Sequence, residues 1–202
     1  MGRREREHDG EGDGRTRLLD AARDLFLARG YAAVSIGEIT AAAGMTRAAP
    51  YYHFKDKEDL FIQVFLREVG QIRDDIAAII QSPRSFRARL ERIIVYALEI
   101  SAADTGRLMD DLQRHVGPER LQALMQHDET LRLSLGDPID FIRPLFAEAA
   151  ANGEIRRVTP DIAATVFVAT VSGLVEMIFR EKHCLPASIG PTEIVDVLIG
   201  GF

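Results

Sequence analysis

A first helix is predicted by the hydrophobic residues that precede Gly30. Leu18, Ala22, Leu25 and Phe26 stand at positions i, i+4, i+7 and i+8, which lie on one face of an α-helix with about 3.6 residues per turn. Gly30 follows this pattern, and glycine readily adopts the left-handed conformation that ends many helices. We therefore expect an amphipathic helix that ends before Gly30.

Two shorter helices are predicted between Gly30 and the next long pattern. Ser35 is followed three residues later by Glu38, the spacing of a capping box at a helix start. Gly44 offers the backbone freedom that a sharp turn needs, and Thr46 is expected to cap a third helix that runs through Tyr52. Three helices within roughly forty residues are typical of a helix-turn-helix unit.

Helical patterns continue to the end of the chain, and no strand pattern interrupts them. Asp56 and Asp59 repeat a capping pattern at the start of a long fourth helix, which Pro83 ends. Glycine and proline separate the later helices, which are expected in residues 84–102, 105–116, 118–135, 138–151, 160 to about 180, and from 191 onward. The predicted fold class is all-α, with about nine helices.

The chain divides by pattern into an arm and two domains. Residues 1–14 are charged and rich in glycine, so they bury too little apolar surface to offset the entropy of ordering and are predicted to form a flexible arm. Residues 15–60 hold the three-helix helix-turn-helix domain. Residues 61–202 are predicted to form a separate C-terminal helical bundle.

Cysteine usage and hydropathy favour a cytoplasmic protein. The one cysteine, Cys184, has no second cysteine with which to close an intrachain disulfide. The first residues lack the apolar stretch of a secretory signal. The most apolar segment, 163–179, is shorter than the roughly 20 residues of a membrane span and contains Glu176, so we expect no membrane insertion.

The distribution of charge suggests a DNA-facing end. The formal net charge is −6, which by itself argues against binding to phosphates. Residues 15–57, however, hold seven Lys and Arg against four Asp and Glu, whereas the residues from 58 onward hold 15 against 22. A basic N-terminal domain joined to an acidic body fits a DNA-binding protein.

The segment 35–60, SIGEITAAAGMTRAAPYYHFKDKEDL, resembles the DNA-binding module of the TetR family of bacterial regulators. Matches at fixed spacing over about thirty residues are specific. The rest of the chain resembles the family in helix count, length and acidity. The matching positions are Ile39, Ala43, Gly44, Thr46, Tyr51, His53, Phe54, Lys57, Glu58 and Leu60, with Gly30 and Tyr31 upstream.

The resemblance implies that the third helix reads the DNA major groove. Thr46, Arg47, Tyr51 and Tyr52 are the short, basic and aromatic residues that its first turns would present, and Arg47 is the candidate for a bidentate contact with guanine. Contacts with phosphates would fix the docking register without reading sequence. The candidates for these contacts are Ser35, Thr46, Tyr51, His53, Lys55 and Lys57.

Several of these residues have a second interpretation. Phe54 is expected to pack between the small domain and the fourth helix, and His53 either packs there or binds a phosphate. Tyr51 and Tyr52 either contact DNA or are surface aromatics with one ring buried, and Lys55 either contacts DNA or is merely solvated. Pro50 replaces the aliphatic residue that the family more often has, and proline disfavours a regular helix start.

The penultimate helix has almost no polar face, so it needs cover on all sides. One cover is the core of its own chain, and the resemblance implies that a second copy supplies the other. A twofold dimer places two reading heads about 34 to 36 Å apart on a palindromic site. The expected interface residues are Val166, Thr170, Gly173, Leu174, Met177, Ile194, Val197 and Leu198.

The resemblance also implies a ligand pocket in the C-terminal domain, whose occupancy moves the fourth helix and changes the spacing of the reading heads. Apolar surface with a few polar groups is typical of such pockets. The same residue types at helical spacing are also ordinary core. The candidates are Tyr96, Glu99, Met109, Leu112, His115, Met125, Phe141, Leu145 and Phe167.

The predicted function is sequence-specific regulation of transcription, most simply repression, with release from a palindromic operator when a small-molecule effector binds. The alternative is a helical enzyme or small-molecule-binding protein, but no nucleophile elbow or phosphate-binding glycine loop supports a catalytic site. An architectural or activating DNA binder is a further alternative. Asp111, His115 and His127 could meet in space as metal ligands, but scattered histidines are usually structural or solvated, so we expect neither metal nor cofactor.

Overall fold

The computed structural model describes residues 4–102, 105–117, 119–120, 122, 137–181 and 189–201. These residues form eight α-helices and one 3₁₀ helix and contain no strand, which confirms the all-α fold class. Most of the helix predicted over 118–135 lies outside the described residues. The helices are α1 (Arg4–Arg29), α2 (Ile36–Ala42), the 3₁₀ helix (Ala49–Tyr52), α3 (Lys57–Gln81), α4 (Phe86–Ala102), α5 (Thr105–His115), α6 (Pro138–Ala151), α7 (Pro160–Glu181) and α8 (Pro191–Gly201).

Helix α1 begins at Arg4, within the segment whose composition predicts a flexible arm. Its inward face is largely the predicted one, because Leu18, Ala22 and Phe26 are fully buried, whereas Leu25 is half-buried. A packed helix extends more easily than it starts, since adding a residue to a formed turn avoids the cost of nucleation. Arginine and glutamate also favour helix, and both are frequent in the added turns.

The described residues form two compact units. The first contains the residues up to Gly70 together with α5 and the residues just after it, and the second contains the remainder. Helix α3 contributes to both units. The boundary that the sequence suggests at residue 60 stays a prediction.

Aromatic packing holds the first unit together. The rings of Phe26 in α1 and Phe61 in α3 meet edge to face, with centroids 5.1 Å apart, a favourable geometry for aromatic pairs. Helix α5 closes this core with Leu108 and Leu112, which are 0% and 1% exposed. The unit therefore joins the helix-turn-helix segment to one helix from the predicted C-terminal domain.

A separate core fills the second unit. Phe146 of α6 lies between Phe86 of α4 and Phe167 of α7, at centroid distances of 5.3 and 5.6 Å. Arg89 of α4 is nearly buried, and its guanidinium donates to both carboxylate oxygens of Glu148 in α6, at 3.2 and 2.8 Å. Apolar packing and this bidentate pair hold the helices of the second unit together.

Candidate nucleic-acid interface

The start of α2 is fixed by the predicted capping box. The Ser35 hydroxyl accepts from the Glu38 N–H at 3.2 Å, and the Ser35 N–H donates to the Glu38 carboxylate at 2.8 Å. Hydrogen bonds from Ser35, and then from Arg29 at 2.7 Å, lower the pKa of Glu38 to about 2. The start of α2 is therefore held by a charged network on the protein surface.

The third element differs from the predicted helix. Residues Ala49–Tyr52 form a 3₁₀ helix whose N-cap is Ala48 without a side-chain hydrogen bond, so the prediction that Thr46 caps an α-helix is wrong. Pro50 explains the difference, because it lacks the N–H that would donate to the Thr46 carbonyl in an α-helix. The Ala49 N–H donates to that carbonyl instead, at 3.0 Å.

This short element presents side chains to solvent. Tyr51 and Tyr52 are 62% and 82% exposed, and Thr46, Arg47 and Lys55 are exposed as well. Both tyrosine rings therefore lie largely on the surface. The interpretation of Tyr51 or Tyr52 as a surface aromatic with one ring buried receives no support from these exposures.

The residues after the tyrosines turn toward the core. Phe54 is 3% exposed, and the Arg15 guanidinium lies 5.5 Å from the centroid of its ring; Phe54 is therefore buried, as a packing role requires. His53 is half-buried and meets the Phe54 ring at 6.2 Å.

Cations in the first unit differ in whether they have partners. Three arginines of α1 donate to side chains on α2 or α3. Arg15 donates to Gln63 at 3.0 Å, Arg23 to Glu68 at 2.7 Å, and Arg29 to Glu38 at 2.7 Å. Arg17 and Arg67 form ion pairs with Asp13 and Asp20. Within the described residues 13–70, the cations without an ion pair or side-chain hydrogen bond are Arg47, Lys55 and Lys57.

Lys57 occupies a different environment from Arg47 and Lys55. Its ammonium lies 4.1 Å from the centroid of the Tyr31 ring, and the side chain is half-buried. Burial lowers the pKa of Lys57, and the nearby carboxylates of Asp111 and Glu38 oppose that shift. Lys57 is therefore a held cation, whereas Arg47 and Lys55 extend from the surface.

The predicted pocket residues fall in both units. Met109, Leu112 and His115 lie on α5 in the first unit, and Met125 lies outside the described residues. Tyr96, Glu99, Phe141, Leu145 and Phe167 belong to the second unit. Leu112, Leu145 and Phe167 are at most 1% exposed and fill the cores. They are therefore ordinary core residues, which their helical spacing also allowed.

The polar candidates of the second unit are engaged with protein partners. Tyr96 donates a short hydrogen bond to Asp75, and burial followed by this bond raises the pKa of Tyr96. Glu99 is exposed and pairs with Arg92 at 3.3 Å. Phe141 is half-buried, and the guanidinium of Arg73 in α3 lies 4.8 Å from the centroid of its ring. The described residues contain no group of three side chains suited to a metal ion, and His127 lies outside them.

Contacts of α5 were missed by the sequence reasoning. Asp111 accepts a hydrogen bond from the Tyr31 N–H at 2.6 Å, and His115 lies 5.0 Å from the Tyr31 ring. Arg120, just after α5, forms an ion pair with Glu58 in the first turn of α3. The one signal available was Tyr31 itself, an aromatic residue directly after a helix-ending glycine.

The predicted dimer residues of α7 and α8 differ in their exposure to solvent. Val166 and Val197 are 40% and 77% exposed, and Gly173 is also exposed. Ile194 and Leu198 are buried in the core of their own chain, whereas Thr170, Leu174 and Met177 are half-buried.

Among the described helices, α7 is the one that is long and apolar enough to cross a membrane, over residues 160–177, judged by length and composition alone. Ala163, Ala164 and Phe167 on its inner face are buried in the core. Its outer face exposes the large apolar side chains of Ile162 and Val166, at 51% and 40%, beside polar residues such as Thr165 and Ser172.

Comparison with known sequences identifies relatives of the N-terminal part. Residues 18–64 match the model of a family described as bacterial regulatory proteins, tetR family. The chain is 38% identical over 96 residues to the HTH-type transcriptional regulator AcrR of Shigella flexneri, covering 46% of this chain and 44% of AcrR. It is 28% identical over 126 residues to the HTH-type transcriptional repressor KstR2 of Rhodococcus jostii, covering 61% and 62%. The matches span less than two thirds of either relative.

A solved structure extends the similarity over the whole fold. A transcriptional regulator of the TetR/AcrR family from Thermobifida fusca superposes with a TM-score of 0.60 at 26% sequence identity. The match covers 92% of this chain and 94% of that regulator. The similarity to that regulator therefore extends to helices beyond the matched N-terminal segment.

Proposed function

We propose that the chain is a regulator of the TetR family, which its N-terminal segment and its fold resemble, and that it binds operator DNA sequence-specifically and regulates transcription. The observation that carries this proposal is a set of cations that form no ion pair or side-chain hydrogen bond within the described residues 13–70. Arg47, Lys55 and Lys57 stand close together in sequence, beside or just after the 3₁₀ helix, whereas the other cations of these residues pair with protein side chains. Phosphate binding is the task for which such cations are suited.

The side chains around the 3₁₀ helix divide into two roles. Arg47 is exposed on the turn that enters the element and reads a base edge, because its guanidinium fork matches guanine. Tyr51, Tyr52, Lys55 and Lys57 contact the phosphates together with Ser35, Thr46 and His53, and these contacts fix the register. The irregular start at Pro50 gives this chain a shorter reading element than an α-helix from Thr46 would.

The working unit is a homodimer in the cytoplasm. The outer faces of α7 and α8 supply the interface, with the exposed residues Val166, Gly173 and Val197 toward the second copy. A small-molecule effector binds the C-terminal domain and releases the dimer from a palindromic operator. Because the relative KstR2 is named a repressor, repression is the proposed direction of control, and catalysis forms no part of the proposal.

The test measures binding by fluorescence anisotropy, with duplexes selected from genomic DNA of the source bacterium in the presence of non-specific competitor. We expect the wild type to select a palindrome. Arg47→Ala is expected to lose about 1 to 3 kcal/mol of discrimination at one base pair of each half-site.

Arg84→Ala is the matched control, since Arg84 is an exposed arginine between α3 and α4 of the second unit. This variant is expected to bind like the wild type. A wild-type protein that selects no sequence at high concentration would overturn the proposal.

A further inference from the structure

The Tyr31 ring lies where three helices of the first unit meet. Its centroid is 5.8 Å from that of Phe26 in α1, 4.8 Å from that of Phe61 in α3 and 5.0 Å from that of His115 in α5. Tyr31 itself stands in the turn between α1 and α2. A turn residue has no helix to fix its direction, so these neighbours determine where the ring lies.

Helix α5 also fixes the backbone of that turn. The Asp111 carboxylate, whose side chain is 14% exposed, accepts from the Tyr31 N–H at 2.6 Å. Gly30 permits this approach, because a Cβ at this position would lie only 3.3 Å from the Asp111 carboxylate. The φ angle of Gly30, +79°, also favours glycine.

The position of the Asp111 carboxylate has an electrostatic cost. A carboxylate beside a helix C-terminus is unfavourable. Arg107 of α5 offsets this by donating to two carbonyl oxygens in the last turn of α1, at 2.8 and 3.2 Å. The arrangement holds a carboxylate at the turn even though the helix dipole opposes it.

Lys57 is the cation that rests on this ring. The 4.1 Å between its ammonium and the Tyr31 centroid lies within the range of about 6 Å for cation–π attraction. Lys57 forms no ion pair within the described part of the chain, so its N–H groups are left for an external acceptor. A lysine that is already held loses less rotamer freedom when it binds a phosphate.

We propose that Tyr31 is a positioning residue for the contact of Lys57 with a DNA phosphate, and that Asp111 of α5 holds Tyr31 in place. This inference rests on the proposed DNA-binding function and adds that one phosphate contact depends on a helix outside the helix-turn-helix segment. Tyr31 acts through Lys57 and does not itself touch DNA.

The salt dependence of operator affinity tests this directly. The slope of log affinity against log salt is negative, and each lost phosphate contact reduces its magnitude by about 0.9. We expect Lys57→Ala and Tyr31→Leu each to reduce the magnitude of the slope by that amount per bound protomer. Each variant should also weaken operator binding roughly tenfold. The double variant is expected to equal either single variant, and Tyr31→Phe, which keeps the ring, should restore the wild-type slope.

Lys55 supplies the matched control. It is an exposed lysine two residues away, and it makes no ring contact within the part of the chain that the structure describes. The effect of Lys55→Ala should therefore add in full to that of Tyr31→Leu. Additive effects of Tyr31→Leu and Lys57→Ala, or an unchanged slope in Tyr31→Leu, would overturn the inference.

A second variant covers the case in which Tyr31→Leu does not fold. Asp111→Ala removes the acceptor of the Tyr31 N–H and keeps the ring, and we expect the same loss of slope, with nothing added by Lys57→Ala. A wild-type slope in folded Asp111→Ala would contradict the role of α5. Failure of the wild type to bind any duplex would instead reject the DNA-binding function itself.

Discussion

The substitution Val197→Glu tests the proposed dimer face. Val197 is 77% exposed on α8, between Asp196 and the buried Leu198. Burying a valine side chain in full contributes about 1.5 kcal/mol, so two symmetry-related copies at this exposure contribute about 2 kcal/mol to association. The carboxylate adds a desolvation cost of at least similar size. A total of about 4 kcal/mol corresponds to a rise of about a thousandfold in the dimer dissociation constant.

Sedimentation velocity over a dilution series measures that constant. The matched control is Thr192→Glu, which places the same charge at an exposed position in the first turn of α8, where an acidic residue suits the helix dipole. We expect Thr192→Glu to remain dimeric and Val197→Glu to become monomeric with unchanged helical circular dichroism. An equal dissociation constant for Val197→Glu and the wild type would refute the assignment of α8 to the interface.

Two further predictions concern stability. Because the native pKa of Glu38 is about 2, against an ordinary value of 4.5, its carboxylate adds stability above pH 4.5 that is lost as the pH falls toward 2. Urea unfolding should therefore show Glu38→Gln less stable than the wild type at pH 6, with the difference narrowing toward pH 2. A difference independent of pH would contradict the charged capping network. Phe146→Ala should lower the free energy of unfolding by about 3 to 5 kcal/mol, because Phe146 is fully buried between two other rings. A loss below about 1 kcal/mol in urea unfolding would mean that this core is not packed as described.

Local signals in the sequence predicted the elements that local interactions determine. The start of α2 depends on Ser35 and Glu38, which are three residues apart, so their spacing was sufficient. The inward face of α1 follows from the helical period alone. The third element was predicted less well, although Pro50 carried the signal that its start would be irregular.

Contacts between residues far apart in sequence were not predictable in the same way. Asp111 and Tyr31 are 80 residues apart, and nothing in the pattern of α5 indicates that its carboxylate reaches a turn in the first unit. Lys57 was identified as a phosphate ligand by resemblance, but its position over an aromatic ring depends on how α3 packs against that turn. Leu145 and Phe167 show the same limit, because helical spacing does not distinguish a pocket wall from a filled core.

Hydroxyl-radical footprinting of the wild-type protein on its selected duplex tests the central claim most directly. A dimer that presents two 3₁₀ reading elements should protect two patches related by twofold symmetry, with centres about 10 to 10.5 base pairs apart or a whole multiple of that spacing. Arg47→Ala should weaken both patches equally. Protection of a single patch, or uniform protection along the duplex without regard to sequence, would contradict operator recognition by a symmetric dimer.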